Sequence, residues 1–250
     1  MVKRIKIMAK KVLPDEIIEV KRLIFRNYCL SSYSQEGEDL ILRRIFEHKQ
    51  KGFYVDVGAY HPFLFSNTYI FYLRGWRGIN IDAKPGSMKL FNKFRKRDIN
   101  LEIAVGEKEE TLTYYMFNEP ALNTFDENWA KEMNGKMGYY IVKKVPIKVY
   151  PLSKILEKYL PKDQKIDFLN IDVEGKDFEV LRGNDWNKYR PKVVLVEILT
   201  SSIEEIYKNP IYIFMKENGY TFFAKTFNTC FFVENEFLRE RKELNKLYNT

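Results

Sequence analysis

Four short apolar, β-branched runs that each close on a carboxylate constrain this chain more than any other feature. FYVDV reaches Asp56, GINID reaches Asp82, IDFLNID reaches Asp172 with Glu174 just beyond, and VVLVE reaches Glu197. Segments with helical spacing of apolar residues lie between them, so strand and helix patterns alternate along most of the chain. Alternation of this kind predicts an α/β fold, a mostly parallel sheet with helices on both faces. The run SQEGEDLILRRIFEH predicts a leading helix carrying Leu40, Ile41, Ile45 and Phe46. Further helices are expected over 66–73 and 85–96, and NLEIAVGE reads as a single third strand. The closing runs YTFFAKTF and TCFFVEN, parted by a turn at Asn228, predict an antiparallel terminal hairpin, so the sheet ends mixed.

Residues 111–150 break the rhythm, with strand patterns around an Asn-rich polar stretch, and are expected to form a substrate-side insertion. The central domain is placed at 33–235. A basic helical extension precedes it over 1–32 and a charged helical tail follows over 236–250. The net charge of +8 comes largely from the first thirty residues, where eight Lys and Arg face Asp15, Glu16 and Glu19. The remaining excess is too dilute for a nucleic-acid stripe, so no nucleic-acid partner is expected. The basic extension suits a solvated helix or a peripheral contact with an anionic membrane face. No apolar run approaches the roughly 18 residues of a spanning helix, and no signal-peptide core is present. The expectation is a cytoplasmic protein, at most touching the inner membrane face. Cys29 and Cys230 lack metal or redox spacing and read as reduced structural thiols.

Ligands of open α/β sheets sit at the carboxyl ends of the strands, where this chain places acids. Asp82, 26 residues after Asp56, is positioned to accept both hydroxyl protons of a ribose. The first turn, however, carries Gly58 alone where a dinucleotide fingerprint needs three glycines. Asp56 would also repel a pyrophosphate, at a cost on the order of several kcal/mol in a partly dry site. A cationic nucleoside reverses that sign. S-adenosylmethionine carries an ammonium and a sulfonium, presents a ribose diol and has no phosphate.

The motifs SQEGEDL, FYVDVGAYHPFLFSNT, GWRGINIDAKP, LEIAVGE, IDFLNIDVEGKDFEVLRG and PKVVLVEI together resemble the FkbM family of S-adenosylmethionine-dependent methyltransferases. The resemblance runs from about Ser34 to Glu197. It implies a class I, Rossmann-like methyltransferase fold with a seven-stranded sheet whose last strand is antiparallel. It also implies O-methylation, often of sugars or other secondary metabolites. The implied acceptor is a small hydroxyl compound, a sugar nucleotide or a surface glycan of capsule or lipopolysaccharide. Carried over residue by residue, it puts Asp56 and Gly58 at the methionyl end, Asp82 on the ribose, and the Ala104–Val105 backbone near adenine. Gln35 would close over the cofactor, although Ser34 capping a helix explains much of that motif. Tyr60 and His61 depart from the family pattern, and Glu119 to Tyr140 matches none of it.

Methyl transfer to a hydroxyl needs either a general base or a metal that lowers the hydroxyl's pKa. Asp172 and Glu174, two residues apart and expected on one side of an extended chain, are the leading candidates together with Glu197. The three offer a base with an orienting partner or an all-oxygen site for a divalent metal. Capping of the next helix is the competing explanation for Asp172 and Glu174. His61 is the second candidate base, and a packed loop histidine its competing reading. Ser66 and Asn67 are expected to cap a helix or to touch ligand. Competing functions are a nucleic-acid methyltransferase, a nucleotide-dependent oxidoreductase and a noncatalytic protein of the same fold. The absence of a [DN]-P-P-[FYW] turn after the fourth strand and of a Pro-Cys turn at Cys230 weakens the first.

Overall fold

The computed structural model describes residue 17, residues 30–200 and residues 202–248. The expected basic extension and Cys29 therefore lie almost wholly outside the described residues.

From Tyr33 onward the elements follow in the order α1 (Glu38–Ile45), β1 (Phe53–Val57), α2 (Tyr69–Leu73), β2 (Arg77–Asp82), α3 (Met88–Phe94) and β3 (Ile99–Glu102). Then come β4 (Ala104–Gly106), β5 (Glu110–Phe117), α4 (Glu127–Met133), β6 (Ile141–Pro151), α5 (Leu152–Tyr159), β7 (Phe168–Ile171) and α6 (Asp177–Arg182). The chain continues through β8 (Val193–Glu197), α7 (Ile203–Ile206), α8 (Pro210–Glu217), β9 (Tyr220–Lys225), β10 (Thr229–Glu234) and α9 (Asn235–Tyr248).

The main sheet has seven strands in the order β3-β2-β1-β7-β8-β10-β9. The first five are mutually parallel, and β10 runs antiparallel to both of its neighbours. Alternation along each strand divides the core between the two faces. Phe53, Val55 and Val57 of β1 pack with Leu152, Ile155 and Leu156 of α5 and with Val180, Leu181, Ile211 and Met215. On the other face Tyr54, Phe168 and Leu195 meet Leu42, Ile45 and Phe46 of α1 and Ile70 and Phe71 of α2. Burying each such side chain contributes ~1.5–3 kcal/mol, so helices on both faces are energetically required. Phe237 and Leu238 of α9 pack against this second core, which anchors the start of the tail helix.

One row across the sheet is polar. Asn170, Asp56, Asn80 and Asn100 stand side by side in register on β7, β1, β2 and β3. Burial makes unpaired polar groups costly, and most of this row is paired. The Asn170 amide donates to Asp56 at 2.9 Å, and the Asn80 amide donates to Asn100 at 2.8 Å. Arg95, fully buried, supports the row from below: it donates to Asp98 (2.9 Å), the Tyr54 hydroxyl (2.7 Å), Thr68 (3.0 Å) and the Pro62 carbonyl (2.8 Å). Gly78 leaves the space for Tyr54, because a Cβ there would lie 2.0 Å from its ring.

Two local expectations are corrected. NLEIAVGE is two strands: Ile103 donates its N–H to the Asp82 carbonyl, and Ala104–Gly106 then leaves for a small sheet ordered β4-β6-β5. The helices expected over 66–73 and 85–96 are shorter, beginning at Tyr69 and Met88. The Ser66 hydroxyl accepts the Tyr69 N–H at 3.2 Å, a local bond that turns the chain into α2. Gly37, in left-handed conformation, caps α1. Ser34 organises the preceding turn by accepting from the N–H groups of Gly37 (3.1 Å) and Asp39 (3.3 Å).

Candidate active site

A cavity of about 510 Å³ opens over the carboxyl ends of the parallel strands, a size that suits a small ligand or cofactor. Its floor is the turn after β1. Gly58 takes a φ of 84°, and a Cβ there would fall 1.7 Å from the Asp172 carbonyl oxygen. Only glycine lets the β1 and β7 turns approach so closely.

The lining acids fall into two groups. Asp56 is 3% exposed and already occupied, accepting from Asn170 on one oxygen and from Thr68 at 3.0 Å on the other. Asp82 accepts the backbone N–H of Tyr60 at 3.0 Å and of Lys84 at 2.7 Å. Burial raises the pKa of both carboxyls, and those hydrogen bonds oppose the rise.

Asp172, Glu174 and Glu197 differ. All three line the cavity, and among the described residues no protein hydrogen bond holds their carboxylates. Asp172 and Glu174 are open to the cavity, yet its walls take up much of the space around them: this desolvation pushes the Asp172 pKa well up, aided by the negative charges of Glu197 and Glu174. Glu174 is pushed up to about 7 by burial and then by Glu197 and Asp177. Glu197 is raised by burial and by Glu36, against the opposing charge of Lys225. Asp177, the first residue of α6, accepts from the Val173 N–H at 3.2 Å and braces the turn.

Asp172 and Glu174 were expected side by side on an extended chain, and here the structure differs. The strand stops at Ile171, and both Glu174 (φ 53°) and Gly175 (φ 86°) adopt left-handed backbone. Glu174 is thereby turned out of the strand direction, a strained conformation of the kind that collects at functional turns. The expected metal site does not form: among the described residues no group of three or more His, Cys, Asp or Glu side chains converges to hold a metal ion. The acids are close enough to raise one another's pKa but are not gathered as ligands.

His61 is also corrected as a candidate base. It does not line the cavity; its Nδ1 accepts the N–H of Leu64 at 3.2 Å while the ring packs edge-on against Phe63 at 4.5 Å. It shapes the loop, and burial lowers its pKa. Gln35, Asp56, Gly58, Asp82 and Val105 do line the cavity, whereas Ala104 is turned into the core and its neighbour Ile103 takes its place. Glu36 and Glu38 tie the Gln35 turn to the terminal hairpin, accepting from the Asn228 N–H at 2.9 Å and the Thr226 hydroxyl at 3.0 Å.

Residues 114–125 fall within the segment expected to form a substrate-side insertion, but none of them is singled out in the sequence as a site residue. Tyr114, Asn123, Thr124 and Phe125 line the cavity, and the Thr124 hydroxyl reaches the Glu174 carbonyl at 3.4 Å. An antiparallel bridge between Tyr115 and Thr124 folds 123–125 back beside β5. Asn67 also lines the cavity and donates to Asn170 at 2.9 Å. Cys230 is buried, which pushes its thiol up to about 11 and leaves it no nucleophile at neutral pH.

A seven-stranded sheet of this order, with β10 reversed and a ligand cavity above the parallel strands, defines the class I methyltransferase fold. The model of the methyltransferase FkbM domain matches residues 56–222, more than half of the chain, which therefore belongs to that family. Membership implies S-adenosylmethionine as methyl donor, and the satisfied Asp82 site, the close glycine turn and the unpaired carboxylates suit a cationic nucleoside. No curated protein matches the chain. Among solved structures it is similar to the "crystal structure of a putative RNA methyltransferase PH1948 from Pyrococcus horikoshii", with 12% identity, a TM-score of 0.40, and coverage of 79% of this chain and 83% of that one. No helix among the described residues is long and apolar enough to cross a membrane.

Proposed function

We propose that this protein transfers a methyl group from S-adenosylmethionine to a hydroxyl of a small acceptor, a carbohydrate destined for a surface glycan. The observation that carries the reading is the set of unpartnered carboxylates Asp172, Glu174 and Glu197 facing the cavity that Asp82 and Gly58 also line.

S-adenosylmethionine supplies a methyl group on positively charged sulfur. Asp82 would receive its ribose hydroxyls, Ile103 and Val105 would flank its adenine, and the Gly58 turn and Gln35, which line the same cavity, would hold its methionyl end. Glu174 accepts the acceptor's hydroxyl proton as that oxygen forms its bond to the methyl carbon, while the C–S electron pair stays on sulfur. Its pKa of about 7 matches that task, because a base works best near the ambient pH. Glu197 and Asp177 raise Glu174's proton affinity, and the carboxylates of Asp172 and Glu197 favour positive charge beside it. General-base assistance contributes ~10²–10⁴ in rate, and aligning the oxygen behind the methyl contributes up to ~7–11 kcal/mol. No step requires a metal.

Calorimetry with S-adenosylmethionine and with NAD tests the reading: the first should bind and the second should not. Donor binding without methyl transfer to any hydroxyl compound would favour a noncatalytic protein. Binding of NAD in its place would remove the methyltransferase reading.

A further inference from the structure

Resting on that reading, we infer that the acceptor is uncharged, a neutral hydroxyl compound with an apolar face, and that phosphate-bearing acceptors such as sugar nucleotides are excluded.

Two independent observations lead there. The first is the charge of the cavity. Among the described residues Asp172, Glu174 and Glu197 form no ion pair within it; Lys176, the one described Lys or Arg of the lining, is engaged with Glu179 at 3.0 Å, and Lys225, whose charge acts on Glu197 from outside the lining, is given to the Thr226 and Phe227 carbonyls. The donor's ammonium and sulfonium offset part of this negative charge, and its own carboxylate adds to it. A phosphate or diphosphate entering beside the donor would meet like charge, with no free basic side chain among the described lining residues to receive it. Known phosphate sites supply arginine, lysine or a cradle of backbone N–H groups, whereas here the N–H groups of Tyr60 and Lys84 are already given to Asp82.

The second is the rim. Tyr60 and Phe65 lie against each other at 6.3 Å and 30°, and with Leu199 they line the mouth of the cavity while remaining 43%, 62% and 71% exposed. Large apolar side chains grouped at a cavity mouth mark a surface that a ligand covers. The C–H face of a sugar or alicyclic ring fits two tilted aromatic rings and brings no charge. The acids inside the cavity then meet only its hydroxyls, which donate hydrogen bonds to them. Neutral charge and apolar contact thus select the same compound class.

The test uses the full chain, methyl-labelled S-adenosylmethionine and a small-molecule cell extract, with labelled products separated by anion exchange. Label in the unretained, neutral fraction is expected. Label in a retained fraction that becomes unretained after phosphatase treatment would overturn the inference. Uridine diphosphate is the binding probe: with S-adenosylhomocysteine in place, calorimetry should detect none to the native chain. The D172N/E197Q variant should gain affinity for it by about tenfold or more, the scale expected for removing close like charges. Tight binding to the native chain, undiminished by salt, would sink the idea. Phe65→Ala should weaken binding of a phenyl glycoside several-fold, and an unchanged affinity would remove the rim from the proposal. Loss of donor binding in a parallel titration would instead strike at the methyltransferase reading itself.

Discussion

Asp56 and Asp82 on one side of the cavity, and Asp172, Glu174 and Glu197 on the other, have similar chemistry and opposite circumstances. The first pair is held by protein donors: Asn170 and Thr68 for Asp56, backbone N–H groups for Asp82. The second set lines the same cavity with no such bonds. A carboxylate that is buried and satisfied organises its surroundings. One that stands open to the cavity, crowded by like charge and held by no protein donor, gains most from a ligand. The difference separates scaffold from chemistry more sharply than any motif does.

The largest effect that could break this comparison is on turnover. Glu174→Gln should lower kcat by ~10²–10⁴ while leaving donor affinity within a few-fold, measured under single-turnover conditions. Native-like rates would show that the unsatisfied side holds no essential base. Gly58→Ala comes next: the clash with the Asp172 carbonyl and the left-handed backbone should destabilise the fold by about 3 kcal/mol or more, read from denaturant unfolding. A stable variant would mean the two turns are less rigidly opposed than described. Asp82→Ala should weaken donor binding by ~1–3 kcal/mol in calorimetry, and unchanged affinity would remove the ribose assignment.

The smallest effect is on the pH dependence of stability. Glu174 and Asp177 titrate near 7 in the folded chain, above their ordinary values of 4.5 and 3.8. Between those limits the folded state holds protons that the unfolded state has released, so stability is greatest at the acidic end and falls as pH rises toward 7. Thermal melts should show this decline, and Asp177→Asn should flatten it. Donor binding near pH 7 should release protons, detectable by calorimetry in buffers of different ionisation enthalpy. A melting temperature that rises across this range would contradict the raised pKa values.

Much of the site was legible in the residues. Asp56, Gly58 and Asp82 could be placed because strand ends and a single glycine turn are local features with a fixed relation to the sheet. Gln35 and Val105 also line the cavity as expected. The conformation of Glu174 was not legible, because two consecutive left-handed residues in VEG depend on bracing by Asp177 and Thr124. His61 misled for a related reason: a near-neutral histidine beside the glycine turn looks catalytic until its Nδ1 is seen bound to the backbone of its own loop.

By itself the sequence determined the alternation of strand and helix, the acids at strand ends and the reversed hairpin, because side-chain period and turn chemistry act over a few residues. The tertiary structure alone decided which of those acids are satisfied. It also decided that NLEIAVGE splits between two sheets, and which residues of the expected substrate-side insertion wall the cavity. Those outcomes depend on contacts between segments up to about a hundred residues apart, such as Asn170 with Asp56, and no local pattern encodes which donor will be spent on which acceptor.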